Sequence, residues 1–145
     1  MTNQSGIKLG ILGTHLGFLD ALVPNEEGRL PRNHDGEFVV AAGARDLIAL
    51  SPVPIDLIQI SAFGTTLPEE TDELLTTLRK LGLQPQLVMM VGGVNPMDPA
   101  DEDEAVAQLK VNLEAALRNG VTEVNSTSLE TWMEGTPPNI DADFQ

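Results

Sequence analysis

The chain has 145 residues, with 22 acidic against 8 basic side chains, a net charge of −14 and no cysteine. That length holds one domain with a core; the charge repels nucleic acid and anionic membrane surfaces; the missing cysteines exclude a disulfide framework and thiolate chemistry. No apolar run approaches the roughly 20 residues that cross a bilayer, and Met1–Gly6 lacks the regions of a signal peptide, so a cytoplasmic protein is expected.

With one Trp and no Tyr, the core must be built from Leu, Ile, Val, Ala and Met. Ile7–Gly13 reads as a first strand whose glycines point to close packing or to a backbone approached by something else. Phe18–Gly36 is a long connection punctuated by Pro24, Gly28, Pro31 and Gly36. It carries Arg29, Arg32 and His34, a basic island in an acidic chain. Such a loop can bind an anionic or hydroxylated ligand; the preferred reading is a solvated surface loop whose charges do little. Glu37–Leu50 is a helix with Val40, Ala44, Leu47 and Ile48 on one face, stopped by Ser51-Pro52-Val53-Pro54.

Ile55–Ala62 is the second strand, and Phe63-Gly64-Thr65-Thr66 the loop after it. Thr66 and Glu69 have capping-box spacing ahead of a helix from Leu67 or Pro68 to Leu81, with Leu74, Leu75, Leu78 and Leu81 inward and Gly82 as its stop. Gln86–Val91 is a continuous apolar run, short enough for a strand buried on both faces. Gly92–Pro96 cannot continue it. Asp98 is placed to cap, and Pro99 to open, a helix with Ala105, Leu109, Leu113 and Ala116 on one face, ended by Asn119-Gly120. Val121–Asn125 is the fourth strand, followed by a short helix around Leu129–Met133. Residues 1–135 thus form one domain of repeated βα units, and residues 136–145 a tail or linker. Strand, crossover helix and strand at this spacing make right-handed parallel units, so the expected class is α/β with about four parallel strands. The acidic clusters Glu69–Glu73 and Asp98–Glu104 sit at helix starts, where they suit the dipole, and lack calcium-loop spacing.

Val39–Ser126, about 60 per cent of the chain, resembles the sugar phosphate isomerase/epimerase superfamily, the xylose isomerase-like TIM barrels. The carriers are VVAAGARDLIALSPVPIDLIQI at Val39–Ile60, DPADEDEAVAQLKVNLEAALRNG at Asp98–Gly120, and Val121–Asn125. The resemblance implies the N-terminal half of a (β/α)8 barrel, which needs about 250 residues in full. It also implies a divalent metal (Mn, Mg or Co) that polarises sugar oxygens while carboxylates move a proton. The family's metal ligands lie on later strands, and Gln59 stands near the place of a usual acidic residue. No catalytic residue and no metal ligand is therefore expected in this chain.

Loops after the strands build the active face of such a barrel. That rule selects His15, Phe18, Phe63, Asn95, Asn125, Glu130 and Trp132 as a substrate-binding wall for a small sugar or polyol. Each has a plainer reading: His15 as a satisfied strand-end histidine, Phe63 as core, Asn125 as a cap, Trp132 as a packing lid. Three classes compete. One is an isomerase or epimerase once the barrel is complete, with this chain inactive alone. Another is a flavodoxin-like α/β sandwich binding a phosphate-bearing ligand near Gly13–Gly17, without a dinucleotide fingerprint. The last is a non-catalytic half-barrel that self-associates through its edges. The expected macromolecular partner is a second copy or a completing polypeptide.

Overall fold

The computed structural model describes residues 8–13, 19–95 and 98–126. The first strand's start, the short helix around Leu129–Met133 and the tail at 136–145 lie outside these residues. Four parallel strands, β1 (Gly10–Leu12), β2 (Leu57–Phe63), β3 (Gln84–Met90) and β4 (Val124–Ser126), form one sheet in the order β1-β2-β3-β4. Helices α1 (Val39–Leu50), α2 (Pro68–Lys80) and α3 (Glu102–Arg118) connect them.

That order decides between the two architectures. A flavodoxin-like sheet runs 2-1-3-4-5, reversing direction once so that helices cover both faces. Here every crossover steps the same way, and right-handed crossovers stepping the same way put all helices on one face. The core shows this: Ile58 and Ile60 of β2 and Leu87 of β3 pack with Val40, Ala41 and Ala44 of α1, Leu74, Leu75 and Leu78 of α2, and Ala116 of α3. The flavodoxin-like alternative is thereby excluded. The described sheet is open, with β1 and β4 at its edges.

Glycine explains how tightly the layers meet. A Cβ on Gly13 would lie 2.8 Å from Ile60 Cγ2 and 2.9 Å from the Gln59 carbonyl, so close packing keeps this position bare. A Cβ on Gly64 would lie 2.3 Å from Gln108 Cβ and 2.5 Å from its backbone, so α3 rests directly on the end of β2.

Two expected helix starts are corrected. Thr66 and Glu69 form no capping box: the N-cap of α2 is Leu67, and Thr66 Oγ1 is buried without a hydrogen bond among the described residues. The buried acid of that first turn is Glu70. Helix α3 begins at Glu102, four residues after Asp98, because both aspartates bind the loop instead. Asp98 Oδ1 accepts from Ala100 N–H at 2.9 Å, and Asp101 Oδ2 accepts from Asn95 N–H at 2.8 Å.

The buried face of α3 also differs from the apolar spacing. Ala105, Gln108, Asn112, Ala115 and Ala116 are buried, while Leu113 is 45% exposed and Leu109 is half-buried. Two amides have displaced two leucines because the end of β3 needs polar partners. Asn112 Nδ2 donates to the Met90 carbonyl at 3.1 Å. Gln108 accepts from Gly92 N–H at 2.8 Å and donates to its carbonyl at 3.0 Å. The strand ends differ by a few residues from the apolar runs, β2 extending to Phe63 and β3 starting at Gln84 with Pro85 buried.

Candidate functional site

The C-terminal ends of β1 to β4 and the described parts of the loops after β1, β2 and β3 form one edge of the sheet. The loop between β1 and α1 is the largest structure there, and its described part, residues 19–38, is ordered by local chemistry. Two turns share one pattern. Asn25 Oδ1 accepts from Glu27 N–H and Arg29 N–H, and Asn25 N–H donates to the Arg29 carbonyl. Eight residues on, Asn33 Oδ1 accepts from Asp35 N–H and Glu37 N–H, and Asn33 N–H donates to the Glu37 carbonyl. Each turn closes through a glycine at positive φ, Gly28 at 78° and Gly36 at 80°, a conformation other residues adopt only with strain. Asn-x-x-Gly occurs at both places and is the signal that marks these turns in the sequence.

The loop is tied to α2 through Glu70, whose side chain is 5% exposed. Glu70 Oε2 accepts from Leu30 N–H at 3.2 Å, and its carboxylate lies 3.4 Å from Arg29 and 3.5 Å from Arg32. Arg32 also donates to Glu73 at 2.8 Å and to the Gly36 carbonyl at 3.1 Å, and lies 3.8 Å over the Phe38 ring. The reading of this loop as solvated, with charges that do little, is corrected for Arg32: its guanidinium fastens the loop to the helix. The hydrogen bond with Glu73 raises the Arg32 pKa and lowers that of Glu73. His34 is exposed, with Nε2 3.2 Å from Asp35 Oδ2.

Of the seven wall residues, His15, Phe18, Glu130 and Trp132 lie outside the described residues. The other three are placed differently from one another. Phe63 ends β2 and is 6% exposed, a packed ring over which Gly92 passes. Asn95 is half-buried in the β3–α3 loop, its N–H bound to Asp101 and its carbonyl accepting from Asp98 N–H at 2.9 Å. Asn125 is exposed on β4, beside Val88 of β3. The structure therefore leaves Asn125 open and makes Phe63 part of the packing.

The face of the sheet turned away from the helices was not anticipated. Because side chains alternate along a strand, it carries the neighbours of the core residues. Across the strands, Leu12, Gln59 and Gln86 stand side by side in one row, and Ser61, Val88 and Asn125 in the next. Gln86 Nε2 donates to Glu123 Oε2 at the end of the first row. No described helix packs on this face. Chemically it is mixed: beside Leu12 and Val88 it offers amide, hydroxyl and carboxylate groups that can pair with hydroxyls.

Among the described residues, no three His, Cys, Asp or Glu side chains converge as a metal site. They do not supply a donor set for the metal that the resemblance implies. No described helix is long and apolar enough to cross a membrane. Compared with family models, curated proteins and solved structures, the chain has no significant match.

Proposed function

We propose that this chain is the N-terminal half of a (β/α)8-type barrel of the sugar phosphate isomerase/epimerase kind, and that it supplies part of the wall that holds a small sugar or polyol. The observation that carries the reading is the set of polar residues Gln59, Ser61, Gln86 and Asn125, which share one face with Leu12 and Val88 in a parallel sheet whose strand order keeps every described helix on the other side. Parallel strands buried between two apolar layers are nearly continuous hydrophobic runs. Amides and hydroxyls on one face suit a sheet that curls around a polar interior.

In the complete barrel, Asn125 and the loop holding Asn95 stand at the mouth and hydrogen-bond substrate hydroxyls. Phe63, nearer the C-terminal end of the strands than Asn125, supports the mouth through packing, without direct contact. The protein acts in the cytoplasm. The proton transfers belong to groups that a second half or a second polypeptide provides, and the metal, Mn, Mg or Co, binds there. The chain alone is inactive.

The test is made on the assembled barrel, with Mn²⁺ and a panel of free and phosphorylated aldoses and ketoses in deuterated water. The expected result is deuterium incorporation at the carbon beside the carbonyl, with KM raised by Asn125→Ala. An assembled protein that exchanges no substrate carbon and binds no sugar overturns the reading.

A further inference from the structure

The β1–α1 loop and the first turn of α2 enclose an open groove of about 420 Å³. That lies within the range of roughly 300–1,000 Å³ typical of small-molecule sites, which are largely apolar with a few convergent polar groups. Val23, Pro24, Leu30 and Pro31 form its apolar walls, with Arg29 at the rim and Glu70 beneath.

The two arginines of this loop differ in how fully they are engaged. Arg32 is held by two carboxylates, a carbonyl and an aromatic ring, and its side chain is 30% exposed. The Arg29 side chain is 59% exposed. Its guanidinium makes one hydrogen bond among the described residues, to Glu70 at 3.4 Å, long beside the roughly 2.7–2.9 Å of a strong charge-assisted bond. Glu27 approaches it only to 3.9 Å and is itself 78% exposed. Five N–H donors on a rigid fork, mostly unengaged and beside apolar walls, match a carboxylate with an apolar body. Its backbone is fixed by the Asn25 turn, so the guanidinium projects from an ordered rim. A net charge of −14 disfavours polyanions, and Glu70 below the groove repels a second negative charge.

We infer that this groove binds a small amphipathic monocarboxylate, its carboxylate on Arg29 and its apolar body against Val23, Pro24, Leu30 and Pro31. The site is separate from the polar sheet face and does not depend on the barrel reading.

The experiment is a titration of the 145-residue chain with hexanoate, followed by amide chemical shifts, with hexanamide as the uncharged control. Saturable shifts confined to residues 23–32 and the first turn of α2 around Glu70 are expected, with a dissociation constant on the order of 1 mM, and at least about tenfold weaker binding for hexanamide or for Arg29→Gln. Glu27→Gln removes the competing carboxylate without disturbing a buried group, and is expected to tighten hexanoate binding about twofold. It keeps the test decisive if Arg29→Gln fails to fold. Absence of saturable shifts, equal binding of hexanamide, or unchanged binding in both variants overturns the proposal.

Discussion

The two faces of this sheet are made from the same strands and obey opposite rules. On one, Ile58, Ile60 and Leu87 are fully buried under three helices. On the other, Gln59, Ser61 and Gln86 stand between them along the same backbone, half-buried, with no described helix above. The first face supplies the stability of the fold. The second is mixed, with Leu12 and Val88 in the same rows as the amides and the hydroxyl. The difference teaches that sequential strand order covers one face of a sheet with helices and leaves the chemistry of the other face to the register.

Paired substitutions sharpen this contrast. Leu87→Ala removes a buried side chain from the helix-facing layer and is expected to destabilise by about 3–4 kcal/mol in urea unfolding. Gln86→Ala, one residue away on the other face, is expected to stay within about 0.5 kcal/mol. Comparable losses from both would break the distinction between the faces.

Two substitutions probe what holds the edge above the sheet. Glu70→Ala leaves Leu30 N–H and both arginines without their shared acceptor, and a loss of about 2–3 kcal/mol is expected. Gln108→Leu keeps the volume but strands the N–H and carbonyl of Gly92, with an expected loss of about 2 kcal/mol and shifted amide resonances at 92–95. Thr66→Val should act in the opposite direction. It removes a buried hydroxyl that has no partner among the described residues, and a gain of about 1 kcal/mol in the same urea assay is expected.

The smallest effect concerns acid. Glu73 lies below its usual carboxylate range through its hydrogen bond with Arg32. Asp72 also lies below it: burial pushes its pKa up, but hydrogen bonds from Arg118 and Asn119 outweigh that. A lowered folded-state pKa contributes stability above the unfolded value, near pH 4, and that contribution disappears as pH falls through the folded value. Urea midpoints measured from pH 6 downwards should therefore fall, and fall less steeply in the Asp72→Asn, Glu73→Gln double variant.

The order of elements was legible because each βα unit is written locally. Leu74, Leu75 and Leu78 carry the helix period, Gly82 and Gly120 mark the stops at positive φ, and the apolar runs locate the strands. What escaped the sequence depends on distant partners. Gln108 and Asn112 look like surface residues until the end of β3 arrives with carbonyls to satisfy. Asp98 looks like a cap until its carboxylate binds Ala100 instead. Arg32 looked solvated because Glu70 and Glu73, about forty positions away, cannot be paired with it by spacing. The polar face was hidden for a related reason: Gln59 and Gln86 each interrupt a strand singly, and only the register brings them side by side. Phe63 was legible both as an aromatic after a strand and, in its plainer reading, as core, and its 6% exposure matches the plainer one; Asn125 is exposed.

The proposed function places the uncovered face of the sheet inside a closed assembly. Light scattering on the native protein, with an intact mass of its chains, tests it most directly. The account predicts a particle containing more than one chain, or a longer chain that carries the remaining strands. A monodisperse single chain of 145 residues, melting cooperatively and binding no hydrophobic dye, would contradict it.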